Sequence, residues 1–182
     1  MRSRIWPVVF LSSFAVISVS AFNSHPAQSQ TQQTGEMHNE HPVAAVGPLK
    51  ITYGVKSEEW TAATLAALPH VTITLHNEHA KADQTYSGVP LISLLTRLGV
   101  PDKPRGKDFR LYLIAEGSDG YQVVYSVGEV TPDVHDGTTL VADTLDGKPI
   151  KENGIFQLVT TGEKRPARWV RNLVAIRVLT AQ

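Results

Sequence analysis

Between Gly47 and Gln182 the apolar residues come almost entirely in short runs, and that limits the architecture more than any other feature. His70-Val71-Thr72-Ile73-Thr74-Leu75 alternates with period two and is rich in β-branched residues, which suits a half-buried strand. Phe109 to Ala115, Tyr121 to Tyr125, Thr138 to Ala142, Ile155 to Thr160 and Leu173 to Leu179 have the same character, and Pro48 to Val55 alternates more weakly. Turn residues punctuate them: Ser118-Asp119-Gly120 predicts a hairpin, and Asp146-Gly147 predicts a second turn before Pro149. Tyr86 to Val89 reads as a short extended piece, and His76 to Gln84 as a polar loop. Helical periodicity is confined to two places. Trp60 to Leu68 places Trp60, Thr64, Leu65 and Leu68 on one face before Pro69. Pro90 opens a clearer amphipathic helix carrying Leu91, Leu94, Leu95 and Leu98, which Gly99 closes. Ser126 to Val130 fits a single helical turn. The pattern predicts an α+β class: a strand-rich mixed-sheet domain with short helices.

The first 46 residues do not share this pattern. Arg2 and Arg4 precede an apolar run from Val8 to Val19, and Val19-Ser20-Ala21 offers a small-residue cleavage site. That order predicts a secretory signal peptide over residues 1–21. Residues 22–46 hold Gln28, Gln30, Gln32 and Gln33 among Ser, Thr and Pro with no hydrophobic period. They read as a disordered tether, because such a segment buries too little apolar surface to offset the entropy of ordering. The globular domain is expected over 47–182, in a periplasmic or secreted protein with no membrane attachment once the signal is removed. Seventeen basic residues balance seventeen acidic ones. Loss of Arg2 and Arg4 leaves a small acidic excess, so the charge gives no steering toward nucleic acid.

The chain has no cysteine. Disulfides, zinc–thiolate knuckles, thiol nucleophiles, iron–sulfur clusters and c-type haem attachment are thereby excluded.

Several local signals follow one another in a recognisable order. They are Val71-Thr72-Ile73-Thr74-Leu75-His76-Asn77, Tyr86-Ser87-Gly88-Val89-Pro90-Leu91, Asp119-Gly120-Tyr121, Asp146-Gly147-Lys148-Pro149-Ile150, Gly154-Ile155-Phe156-Gln157-Leu158-Val159 and Arg165-Pro166-Ala167-Arg168-Trp169-Val170. Together they resemble the oxidoreductase molybdopterin-binding domain, the fold of sulfite oxidase and its bacterial relatives. The resemblance implies a molybdopterin cofactor held through its phosphate and polar ring edge, and a metal held by two pterin sulfurs and one protein cysteine. The position of that cysteine is matched here by Asn77. Gln157 stands where the family often has arginine, and Thr161 where it often has proline. Arg165 and Arg168 match positions that carry positive charge near the pterin phosphate. An arginine fork fits phosphate oxygens well. The resemblance therefore implies cofactor contacts from Asn77, Arg165 and Arg168, and a redox protein as partner, while the absent thiolate sets it against molybdenum catalysis.

Two other readings stand beside this one. The domain is a non-catalytic module binding a small anion or a partner protein. Alternatively it is a zinc or copper binder built on histidines. The tetrapeptide His38-Asn39-Glu40-His41 recurs as His76-Asn77-Glu78-His79, and His76 and His79 with a carboxylate between them form a plausible ligand pair. Asp133, His135 and Asp136 form another polar cluster, read as turn residues between Pro132 and Gly137. Tyr121 and Tyr125 share one face of their strand and are read as packing residues.

Overall fold

A computed structural model describes residues 47–151 and 154–182. The expected signal peptide and tether, with the first histidine tetrapeptide, lie outside the described residues. The described chain forms two five-stranded sheets, with three short 3-10 turns and two short helices between them. No helix among the described residues is long and apolar enough to cross a membrane.

The first sheet is built from β1 (Leu49–Tyr53), β2 (Lys56–Trp60), β5 (Leu111–Gly117), β6 (Gln122–Ser126) and β10 (Leu173–Thr180). Its order is β2-β1-β10-β5-β6. β1 and β10 run parallel, with Ile51 opposite Ile176, and every other pair is antiparallel. The sheet is therefore mixed. The second sheet holds β3 (Val71–Asn77), β4 (Ala82–Pro90), β7 (Thr139–Leu145), β8 (Lys148–Pro149) and β9 (Gln157–Thr160). β3 pairs with β4 and β4 with β7, while β8 and β9 follow one another along the far side of β7.

Several elements differ from the sequence-based expectation. The stretch from Pro48 is a hairpin rather than one strand, because Gly54 (φ +57°) turns the chain back and β2 pairs with β1. Trp60 ends β2 opposite Leu49, so the first helix, α1 (Ala62–Ala66), begins after it. Thr61 and Thr64 cap that helix reciprocally, side chain to backbone. The expected loop from His76 to Gln84 shrinks to four residues, since β3 runs on to Asn77 and β4 starts at Ala82. Phe109 lies in a 3-10 turn (Gly106–Arg110), and β5 begins only at Leu111. The second helix, α2 (Leu91–Arg97), follows Pro90 as expected, buries Leu91, Ile92, Leu94 and Leu95, and stops at Gly99 (φ +95°).

Strand alternation sorts the apolar side chains onto two faces. Val141 and Leu158 join the main core with Ile51, Leu113, Ile176 and the buried face of α2. Their neighbours Leu140, Ala142 and Val159 point the other way, into a satellite core with Tyr86, Ile150 and Trp169. The paired segments of β7 and β9 are thus buried on both sides, and the outer boundary of that satellite core carries the candidate site.

Candidate functional site

Four segments converge at one edge of the satellite core: the β3–β4 turn, the β5–β6 turn, the start of β9, and the stretch Pro166–Arg171 that leads into β10. They enclose a cleft of about 500 Å³ lined by His79, Asp119, Tyr121, Gln157, Trp169 and Arg171 together with Pro166 and Ala167.

Each segment is fixed by local chemistry. At the β3–β4 turn the Asn77 side chain, only 5% exposed, accepts from the backbone N–H groups of His79 (3.0 Å) and Ala80 (3.3 Å). Its Nδ2 donates to Gln84 Oε1 at 2.6 Å, and the same oxygen accepts from the Tyr86 hydroxyl at 2.8 Å. Burial pushes the Tyr86 hydroxyl pKa up, and neighbouring Asn77, Arg171 and Gln157 offset only part of that. At the β5–β6 turn Gly120 adopts φ +82°, and Asp119 Oδ1 accepts from Tyr121 N–H at 3.0 Å. Ser118 N–H donates to the Asn172 carbonyl at 2.9 Å, which ties this turn to the entry of β10.

The Pro166–Arg171 stretch is held by two tyrosines four residues apart. The Tyr121 hydroxyl donates to the Ala167 carbonyl, and the Tyr125 hydroxyl donates to the Arg168 carbonyl at 2.6 Å. Trp169 is buried edge-on against Tyr86, with ring centroids 5.5 Å apart, and its Nε1 donates to the Thr160 carbonyl at 3.1 Å. It packs, and it also forms part of the cleft wall.

The two expected arginines behave differently from one another. Arg168 stacks over the Tyr125 ring at 4.7 Å. Its Nη1 donates to Glu129 Oε1 at 2.7 Å, its Nε donates to Glu163 Oε1 at 2.9 Å, and Nη2 also reaches Glu163. Burial of the Glu129 carboxyl acts to raise its pKa, but hydrogen bonds from Ser126 and Arg168 prevail and the net shift is downward. The same bonds to Glu129 and Glu163 raise the guanidinium pKa further. Two carboxylates thus neutralise Arg168, and it does not line the cleft. Arg165 is exposed just before the 3-10 turn Pro166–Arg168 and is not part of the lining either. The cleft cation is Arg171, which is exposed and makes no ion pair with any described carboxylate. It closes the same Lys164–Arg171 string that carries Arg165 and Arg168, but the spacing of that string gives no means of choosing among its cations.

The histidines separate as well. His76 is exposed on β3, with Nδ1 2.8 Å from Asp83 Oδ1 across the strand pair, whereas His79 lies in the turn and reaches the cleft. Among the described residues no group of three or more His, Asp or Glu side chains is placed to hold a metal ion. His135 Nδ1 accepts from Gly137 N–H at 2.8 Å, as a turn residue would.

No family model matches the chain. It is similar to the DNA primase small subunit PriS of Thermoplasma volcanium, with 32% identity over 82 residues, or 45% of this chain and 23% of the primase. In three dimensions it is similar to the sulfane dehydrogenase SoxCD from Paracoccus pantotrophus, with a TM-score of 0.56 and 23% identity. That likeness covers 72% of this chain and 38% of the dehydrogenase chain. The chain therefore spans less than half of the dehydrogenase and less than a quarter of the primase. The structural likeness shows the fold, a strand-rich α+β domain with short helices like one found within that dehydrogenase.

The residues present do not fit the metal centre that the sequence resemblance implies. At the expected cysteine position, the Asn77 oxygen is committed to two backbone N–H groups and its nitrogen to Gln84. No cysteine elsewhere in the chain can supply a thiolate. A carboxamide already satisfied on both sides is not an available metal ligand.

Proposed function

We propose that this protein is an exported binding module on a molybdopterin-oxidoreductase-like fold, and that its cleft takes a small anionic ligand such as a phosphorylated pterin without metal-based redox catalysis. The supporting observation is Arg171. It is a guanidinium at the mouth of a 500 Å³ cleft with no described carboxylate paired to it. Gln157, Tyr121 and His79 supply polar edges around it, and Trp169 supplies a flat apolar wall. This combination of one charged fork, a few polar groups and aromatic surface is the usual composition of a small-molecule site.

Titration calorimetry with a phosphorylated pterin and with inorganic phosphate tests this reading. Arg171→Ala is expected to weaken both about tenfold or more, the worth of a charge-assisted hydrogen bond. Equal affinities for the wild type and the variant would overturn the anion site. Stoichiometric molybdenum in protein purified from a host that makes the cofactor would overturn the non-catalytic part. A mature N-terminus at Phe22 is the expected mark of export.

A further inference from the structure

A second hollow of about 520 Å³ lies beside the first, lined by Leu145, Asp146, Lys148, Pro149, Ile150, Lys151 and Gln157. Gln157 lines both hollows, so they adjoin at its side chain. They also share a floor. Ile150 and Trp169 belong to the satellite core, and Leu145 packs against it. Each hollow has its own cations, Arg171 in the first and Lys148 and Lys151 in the second. Neither lysine is ion-paired to a described carboxylate. The acid lining each hollow already serves the backbone: Asp119 accepts from Tyr121 N–H, and Asp146 accepts from Thr85 N–H at 2.8 Å.

Gln157 is the most informative member. It is only 5% exposed, yet it borders both hollows. Its carboxamide brings a carbonyl acceptor and an amide donor to the junction of the two hollows. A molecule lying along both hollows passes this carboxamide and can donate to its carbonyl.

We infer that the two hollows form one groove that takes an elongated molecule with an acid group at each end and a hydrogen-bond donor between them. One acid meets Arg171, the other meets Lys148 and Lys151, and the middle donates to Gln157. This rests on the anion-binding reading of the Arg171 cleft and adds the shape and second charge of the ligand. Joining two anchors in one molecule makes the second contact intramolecular, so affinity rises only when the spacer matches the span.

The test uses alkane-α,ω-bisphosphonates of increasing length against alkylphosphonates of the same lengths, titrated calorimetrically into the full-length protein at low salt. One bisphosphonate length is expected to bind about tenfold or more tighter than its monophosphonate counterpart, with shorter and longer spacers weaker. Lys148→Ala combined with Lys151→Ala, both at exposed positions, is expected to remove that advantage. A length series with no optimum, or an optimum that survives the double substitution, overturns the spanning ligand while leaving the Arg171 site standing. Absence of binding by every phosphonate overturns both readings. Placing a spacer amide N–H at the midpoint is expected to tighten binding further in the wild type and not in Gln157→Leu.

Discussion

Side chains that look like ligands in this sequence are often engaged by the chain itself. Asn77 closes a turn, His135 accepts a turn N–H, and Arg168 is held between Glu129 and Glu163. His70 is a further case. Its Nδ1 lies 2.7 Å from the Leu68 carbonyl and its Nε2 lies 2.9 Å from Asp143 Oδ2. Both ring nitrogens face acceptors, and only the imidazolium can donate to both. Burial of the ring acts to lower its pKa, but the bonds to Asp143 and Leu68 outweigh it, and the pKa rises above the ordinary 6.5. The sign follows from linkage. A raised folded-state pKa contributes stability that is complete below the unfolded value and is lost as pH climbs through the folded one. Urea unfolding of the wild type is therefore expected to shift to lower denaturant between pH 6 and pH 8 (about the window set by an unperturbed histidine) by more than in His70→Gln. A parallel decline in the two proteins would refute the role of this pair.

Elements were legible in the sequence where burial is one-sided. Runs such as Val71 to Leu75 and Leu173 to Leu179 alternate because one face meets a core, and their strands appear within a few residues of expectation. β2 was not legible, since Lys56-Ser57-Glu58-Glu59 is an outer strand whose partner β1 supplies the ordering. The start of β4 was hidden for the same reason, with Ala82 and Asp83 exposed opposite Asn77 and His76. The cleft was half legible. The β3–β4 turn and the basic string were both singled out, but the choice of Arg171 over Arg168 depends on Glu129, which is distant in sequence. One element carries a sharp requirement. At the irregularity between Ser87 and Gly88, a Cβ on Gly88 would lie 2.2 Å from the Val141 carbonyl oxygen and 2.5 Å from the Ala142 Cα. Those are backbone atoms of a paired strand and have little freedom to move. Gly88→Ala is expected to cost about 3 kcal/mol or more, at the upper end of overpacking penalties, by denaturant midpoint. An unchanged midpoint would show that β4 and β7 are not this close.

Across the whole molecule, the first and last strands of the domain meet at the centre of one sheet, β1 against β10 and β10 against β5. Neither is an edge. Leu173, Ile176 and Val178 from β10 enter the same core as Leu49 and Ile51 from β1. Deletion of residues 173–182 is expected to abolish cooperative unfolding, read as loss of a sigmoidal denaturation curve, because it removes the middle of a sheet and splits the core. Retention of a sharp transition would mean that the two sheets are stabilised separately.

That placement of β10 also bears on timing. Within the domain β10 follows every other strand and sits between β1 and β5, so the first sheet closes only once β10 has been made, whereas the strands of the second sheet precede it. Under the export proposed above, that order leaves the first sheet unclosed until β10 has crossed as well.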